Sequence, residues 1–162
     1  TVLFMSQFIT SRIERPTYFC SKKTIMITKR ITQVFLGLMG LAFCKVGVEA
    51  LASPQAVLAN VGITLDNVSA LSSMRAVYGG MHLVFGVFCL WGIFKNIQAP
   101  LLLVALYTAG FVIGRLSGII LDGSPNSFVT TWLFTEAFSL FASVSLLFLL
   151  HKKVEQKSVT FP

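Results

Sequence analysis

Six residues of this chain carry side chains that could do chemistry in apolar surroundings: Arg75, Tyr78, His82, Arg115, Asp122 and Glu136. Their spacing sorts them by helix. At 100° per residue, Arg75, Tyr78, Gly79, His82 and Gly86 fall on one face. Arg115 and Asp122 share a face of a later segment, with Thr108 seven residues before Arg115. Glu136 lines up with Ser139 and Ser143. Such a set could bind or pass a small polar or amphipathic molecule, with a proton carried on Glu136. Glu136 with Asp122 or Glu49 also has the form of an acid–base pair, although any six acids offer such pairings. Phosphate loops, G-x-S-x-G and H-E-x-x-H are absent. His82 has no second histidine or cysteine at a zinc spacing, so no metal is expected. The sequence also points to no cofactor.

The elements that must position these groups are membrane helices. The chain has 162 residues, of which 55% are hydrophobic and 12% charged, with mean hydropathy +0.80. Soluble domains carry about 25% charged residues. Four apolar runs reach the roughly 20 residues that a bilayer core requires: 31–52, 74–94, 101–121 and 129–150. Pro100 suits the first turn of the third run. "KNIQAP" and "DGSPNS" are tight connections. The longer stretch 53–73 is read as a surface segment, with Ser53-Pro54 starting a short helix. Residues 26–152 thus form the transmembrane domain, and 153–162 a polar tail. Residues 1–25 have no clean periodicity, and their apolar stretch is too broken for a signal peptide. They are expected to be a weakly ordered extension, of the kind an upstream reading frame would add.

The formal charge of +7 is not that of a nucleic-acid binder, because the basic residues flank apolar runs; the partner is the lipid bilayer. Ten of the thirteen basic residues fall on one side of a four-span arrangement, and loops 53–73 and 122–128 contain none. The Lys/Arg bias therefore predicts cytoplasmic N and C termini. Lys45, Arg75 and Arg115 remain, with Glu49, Asp66, Asp122 and Glu136. All seven lie in or beside the outer half of the membrane. Arg115 and Glu136 are each about 10 Å below the outer boundary at 1.5 Å per residue. Charges in that layer should turn inward and pair, or line a wet cavity.

Plainer roles compete for several of these residues. Arg75, at a helix end, suits an interfacial anchor. Lys45 and Glu49, at i and i+4, suit a mutual ion pair. His82 fits a hydrogen-bonded packing histidine. Tyr107, Trp91 and Trp132 read as packing or interface aromatics. Asp122-Gly123 reads as turn chemistry. Cys20, Cys44 and Cys89 read as reduced, inert residues. Gly79 should let a neighbouring helix approach. Gly110, Gly114 and Gly118, at i, i+4 and i+8, predict a small-residue packing face.

"RAVYGGMHLVFGVF" (75–88), "GFVIGRLSGIILDGSP" (110–125) and a glutamate in the next span together resemble the DUF4345 family. Its members are small four-span bacterial membrane proteins of unknown function, similar in layout to DoxX-like proteins. The resemblance covers about residues 26–152. It marks Arg75, Tyr78, Gly79, Gly80, Gly114, Arg115, Asp122, Gly123, Pro125 and Glu136 as family-pattern positions, and it implies a multi-pass protein of the bacterial inner membrane. It supplies no activity. The expected fold is all-α, a four-helix transmembrane bundle. Three functions fit: a binding or passage site, an accessory subunit whose charges only fix helix packing, or a membrane enzyme acting on a lipid or quinone-like substrate. The sequence leans away from an enzyme and leaves room for a homo-oligomer or a membrane partner.

Overall fold

The computed structural model describes the backbone of residues 2–158 and the side chains of residues 26–151. The side chains of 1–25, where weak order was expected, and those of the whole polar tail lie outside the described residues. Six α-helices follow in order: α1 (Val2–Ala52), α2 (Pro54–Ala59), α3 (Val68–Met74), α4 (Met81–Phe94), α5 (Gln98–Asp122) and α6 (Ser127–Ser158). A π-helical turn, Arg75–Gly80, joins α3 to α4. There is no strand among the described residues. Four stretches are long and apolar enough to cross a membrane: Met26–Ala52, Val68–Phe94, Gln98–Asp122 and Ser127–His151.

Local chemistry sets the ends of these stretches. The second begins at Val68, earlier than the apolar run at 74, because the Asn67 side chain caps α3 by accepting from Ala70 N–H at 2.8 Å. Pro54 opens α2 with no amide hydrogen to satisfy. Gly123, at φ 96°, ends α5 in a conformation that other residues rarely adopt. Asn126 accepts from Val129 N–H at 2.9 Å to start α6, and its amide donates to the Asn60 carbonyl at 3.1 Å. That second bond ties the two long-range loops together. At the opposite end, the Gln33 amide reaches from α1 to the Ile93 carbonyl in the last turn of α4, at 3.0 Å.

The four long segments pack as two antiparallel pairs. α1 lies along the π turn and α4, while α5 lies along α6. A cluster of Leu36, Phe43, Cys89, Leu101, Val104 and Leu146 joins the pairs. The outer surface is apolar: Val34, Leu38, Val84, Leu106, Ile113 and Phe138 are all exposed. Such a surface suits lipid, where apolar exposure costs nothing. The two ends differ. Lys29, Arg30, Lys95 and His151 mark a basic end, whereas α2, α3 and the 123–126 turn make a loop end.

Candidate polar site

Arg115 lies seven residues before the end of α5, and Glu136 nine residues after the start of α6. The turn between the helices is short, so antiparallel packing brings the two side chains level. Arg115 Nε donates to Glu136 Oε2 at 2.6 Å, and Nη2 donates to Oε1 at 2.9 Å. This is the two-pronged geometry in which a guanidinium matches a carboxylate best. The side chains are 21% and 11% exposed, so the pair is not fully sealed inside the bundle. One turn deeper, the Phe111 ring lies 5.8 Å from the guanidinium carbon. Ser139 and Ser143 share the buried face of Glu136, as their spacing implied. Each bonds a carbonyl of its own helix: Ser139 to Thr135 at 2.8 Å and Ser143 to Leu140 at 3.0 Å. Thr108 does the same toward Val104 at 2.7 Å. These hydroxyls are satisfied within their own helices.

Below Phe111 the site continues through Tyr107, four residues further along α5, whose ring centroid is 4.8 Å away. The Tyr107 hydroxyl is hydrogen-bonded to His82 Nε2 at 2.5 Å, linking α5 to α4 across the two helix pairs. His82 is buried. Tyr78 stacks on it at 5.8 Å and Phe43 meets it edge-on at 5.9 Å.

The π turn fixes how this histidine is held. Met81 N–H donates to Ala76 five residues back, so it does not serve the Val77 carbonyl as it would in an α-helix. His82 Nδ1 sits 3.3 Å from that carbonyl instead. A carbonyl only accepts, so Nδ1 carries the hydrogen. In neutral His82, Nε2 is then the acceptor, and Tyr107 is the donor.

Of the six residues singled out in sequence, the structure brings four into this chain of contacts: Tyr78, His82, Arg115 and Glu136. The other two stand apart. Arg75 was placed on the face of His82 by counting 100° per residue, but the π turn changes that count. It is exposed, and its Nε donates to the Leu51 carbonyl at 3.1 Å, capping the end of α1. Asp122 is exposed at the last residue of α5. Lys45 and Glu49 pair with each other at 2.7 Å, with side chains 70% and 51% exposed, away from the site. Tyr107, read in sequence as packing, is the residue that the sequence reading missed. Its position at i, i+4 and i+8 with Phe111 and Arg115 was the available signal.

The packing glycines also need a correction. A β-carbon added at Gly110, Gly114 or Gly118 would find no heavy atom within 4 Å, so within one chain this face is no helix seam. The close approach lies between α1 and α4. A β-carbon at Gly86 would sit 2.8 Å from both Cys44 N and the Gly40 carbonyl oxygen, and one at Gly47 would sit 2.8 Å from Leu83 N. Gly79 belongs to the same seam, against Leu51 at 2.7 Å. No group of three His, Cys, Asp or Glu side chains suited to a metal occurs among the described residues.

Comparison with curated proteins and with solved structures returned no match. One family model does match, over residues 31–148, a stretch that contains most of all four spans together with the Arg115–Glu136 pair and the His82–Tyr107 bond. The chain is therefore a four-helix integral membrane protein that belongs to the DUF4345 family, described as a domain of unknown function.

Proposed function

We propose that the Arg115–Glu136 pair is the binding site for the anionic head of a small amphipathic molecule. Glu136 occupies Arg115 when the ligand is absent and takes up a proton when the ligand displaces it. One observation carries this reading. A guanidinium has five N–H donors, and two of them meet Glu136, which leaves three without a protein partner at a side chain only 21% exposed. Unserved donors at membrane depth are costly, so water, a headgroup or a ligand oxygen should meet them. The apolar outer surface of α5 and α6 beside the pair gives an acyl or aromatic tail somewhere to lie. In this reading the loop end faces away from the cytoplasm, as the Lys/Arg bias implies, and the membrane is the bacterial inner membrane.

A second reading has its own support. No buried side-chain polar atom among the described residues lacks a hydrogen-bond partner, and the two-pronged closure of Arg115 on Glu136 is what a purely structural bridge requires. The pair would then belong to an accessory subunit, fixing the register of α5 on α6.

Thermal unfolding in a neutral detergent separates the two, because a ligand that binds only the folded state raises Tm. Decanoate serves as the anionic probe and decanol as its uncharged match. The binding reading expects decanoate alone to raise Tm. Arg115→Gln should abolish the response, and Glu136→Gln should produce it at lower concentration because the internal competitor is neutralised. An equal response in Arg115→Gln would overturn the binding reading. No response in either wild type or Glu136→Gln would leave the structural bridge.

A further inference from the structure

The basic end of the bundle carries two adjoining depressions that the site above does not use. One is a pocket of about 230 Å³ where the end of α4 meets the start of α5, lined by Lys29, Lys95, Asn96 and Gln98 among others. The second is a larger open groove of about 640 Å³ running between α5 and α6, with Leu102, Val144, Leu147 and Phe148 along it. Asn96 and Gln98 line both, so the two adjoin. The combined shape is polar and cationic at the helix ends and apolar along the membrane-spanning direction.

The charge at this site is uncompensated by described side chains. Neither Lys29 nor Lys95 pairs with an acid among the described residues, whose ion pairs are Lys45–Glu49 and Arg115–Glu136. The described acids, Glu49, Asp66, Asp122 and Glu136, all belong to the loop-end half of the bundle. Lys29 and Lys95 are exposed, at the level where the spans Met26–Ala52 and Val68–Phe94 begin and end. A water-soluble anion would use the lysines but leave the groove unexplained. A neutral lipid would use the groove but leave the lysines without a partner. An anionic headgroup carrying an acyl chain uses both, and basic pockets between membrane helices bind such headgroups.

We propose that this composite site holds one anionic phospholipid, with its phosphate at Lys29 and Lys95 and an acyl chain along the α5–α6 groove. The site lies at the opposite end from Arg115 and Glu136 and does not depend on their role. Bound there, the lipid would fasten the start of α5 to the end of the fourth span, where Asn96, Gln98 and His151 line the opening.

The experiment is native mass spectrometry of the full chain in a neutral detergent, titrated with phosphatidylglycerol or with phosphatidylcholine of the same acyl chains. The expected result is a single retained phosphatidylglycerol adduct at concentrations where phosphatidylcholine is stripped. Lys29→Gln with Lys95→Gln should weaken phosphatidylglycerol retention at least tenfold, to the level of phosphatidylcholine. Both positions are exposed, so folding should survive, and an unchanged Tm checks this. Lys45→Gln, at the other end, should leave retention unchanged. Val144→Trp, which fills the exposed groove wall, should weaken retention while leaving both lysines in place. Equal retention of the two lipids by wild type, or full retention by the double lysine variant, would overturn the proposal. So would glycerol 3-phosphate competing as well as the whole lipid, since the groove would then contribute nothing.

Discussion

The two helix pairs of this bundle are held together by different physics. α1 and α4 approach until backbone touches backbone: Gly40 and Gly47 of α1 face Gly86 of α4 and Gly79 of the π turn, and no side chain larger than hydrogen fits at these points. α5 and α6 sit in a different arrangement. The three spaced glycines of α5 face away from any described neighbour, and a two-pronged ion pair at 2.6 and 2.9 Å ties the helices. Lipid tails remove the hydrophobic drive between membrane helices, which leaves close van der Waals packing and polar links as the available glues. Each pair relies mainly on one of them. The lesson is that a G-x-x-x-G pattern marks a seam only when the facing helix is also small at the same heights. α1 offers that to α4. α6 contains no glycine to offer α5.

The comparison can be broken most sharply at Gly86. Gly86→Leu would drive a side chain into Cys44 N and the Gly40 carbonyl. The expected loss is about 3 kcal/mol, the upper end of overpacking costs, because backbone cannot step aside. Thermal unfolding in detergent should show it as the largest Tm drop of the series, and a change under one third of that would mean α1 and α4 are not so close.

Next comes the polar glue. Arg115→Ala and Glu136→Ala should each cost about 2 kcal/mol, less than a fully buried broken pair because both side chains keep some exposure. The double variant should lose less than the sum, since no charge is orphaned. Simple additivity in the double-mutant cycle would mean that the two residues are not energetic partners.

Gly114→Leu sharpens the comparison from the other side. The spacing of Gly110, Gly114 and Gly118 alone predicts a serious loss, whereas the open space around Gly114 predicts a change within about 0.5 kcal/mol. A large, protein-concentration-dependent loss would instead place a second copy or a membrane partner on that face. The smallest effect should come from Lys45→Ala. Its pair with Glu49 is 70% and 51% exposed, and exposed i,i+4 pairs contribute about 0.3–0.5 kcal/mol. A loss several times larger would mean that the pair is shielded in the membrane.

The Arg115–Glu136 pair was legible in advance because three local quantities locate it. These are the lengths of two consecutive spans, the short turn between them and the helical rise, which together put both side chains at one depth. The His82–Tyr107 bond was not legible. It joins the two helix pairs, so it depends on how α4 and α5 rotate about their own axes. An aromatic residue reads alike whether it ends up in a core, at an interface or on a hydrogen bond. Arg75 went astray for a related reason: counting faces at 100° per residue assumes an unbroken α-helix, and the π turn Arg75–Gly80 breaks it.

The sequence by itself determined that there are four spans, roughly where they lie and which layer holds the charges. Hydropathy and helical rise are properties of a segment taken alone, and lipid enforces both by penalising any unpaired backbone group. The tertiary structure alone decided which side chains meet across the two helix pairs and which glycines face a neighbour. Those outcomes depend on rotation about each helix axis and on what the opposing helix presents. For His82 and Arg75 a local departure from α-helical geometry adds to this: the π turn leaves the Val77 carbonyl to His82, and Arg75 reaches the Leu51 carbonyl instead.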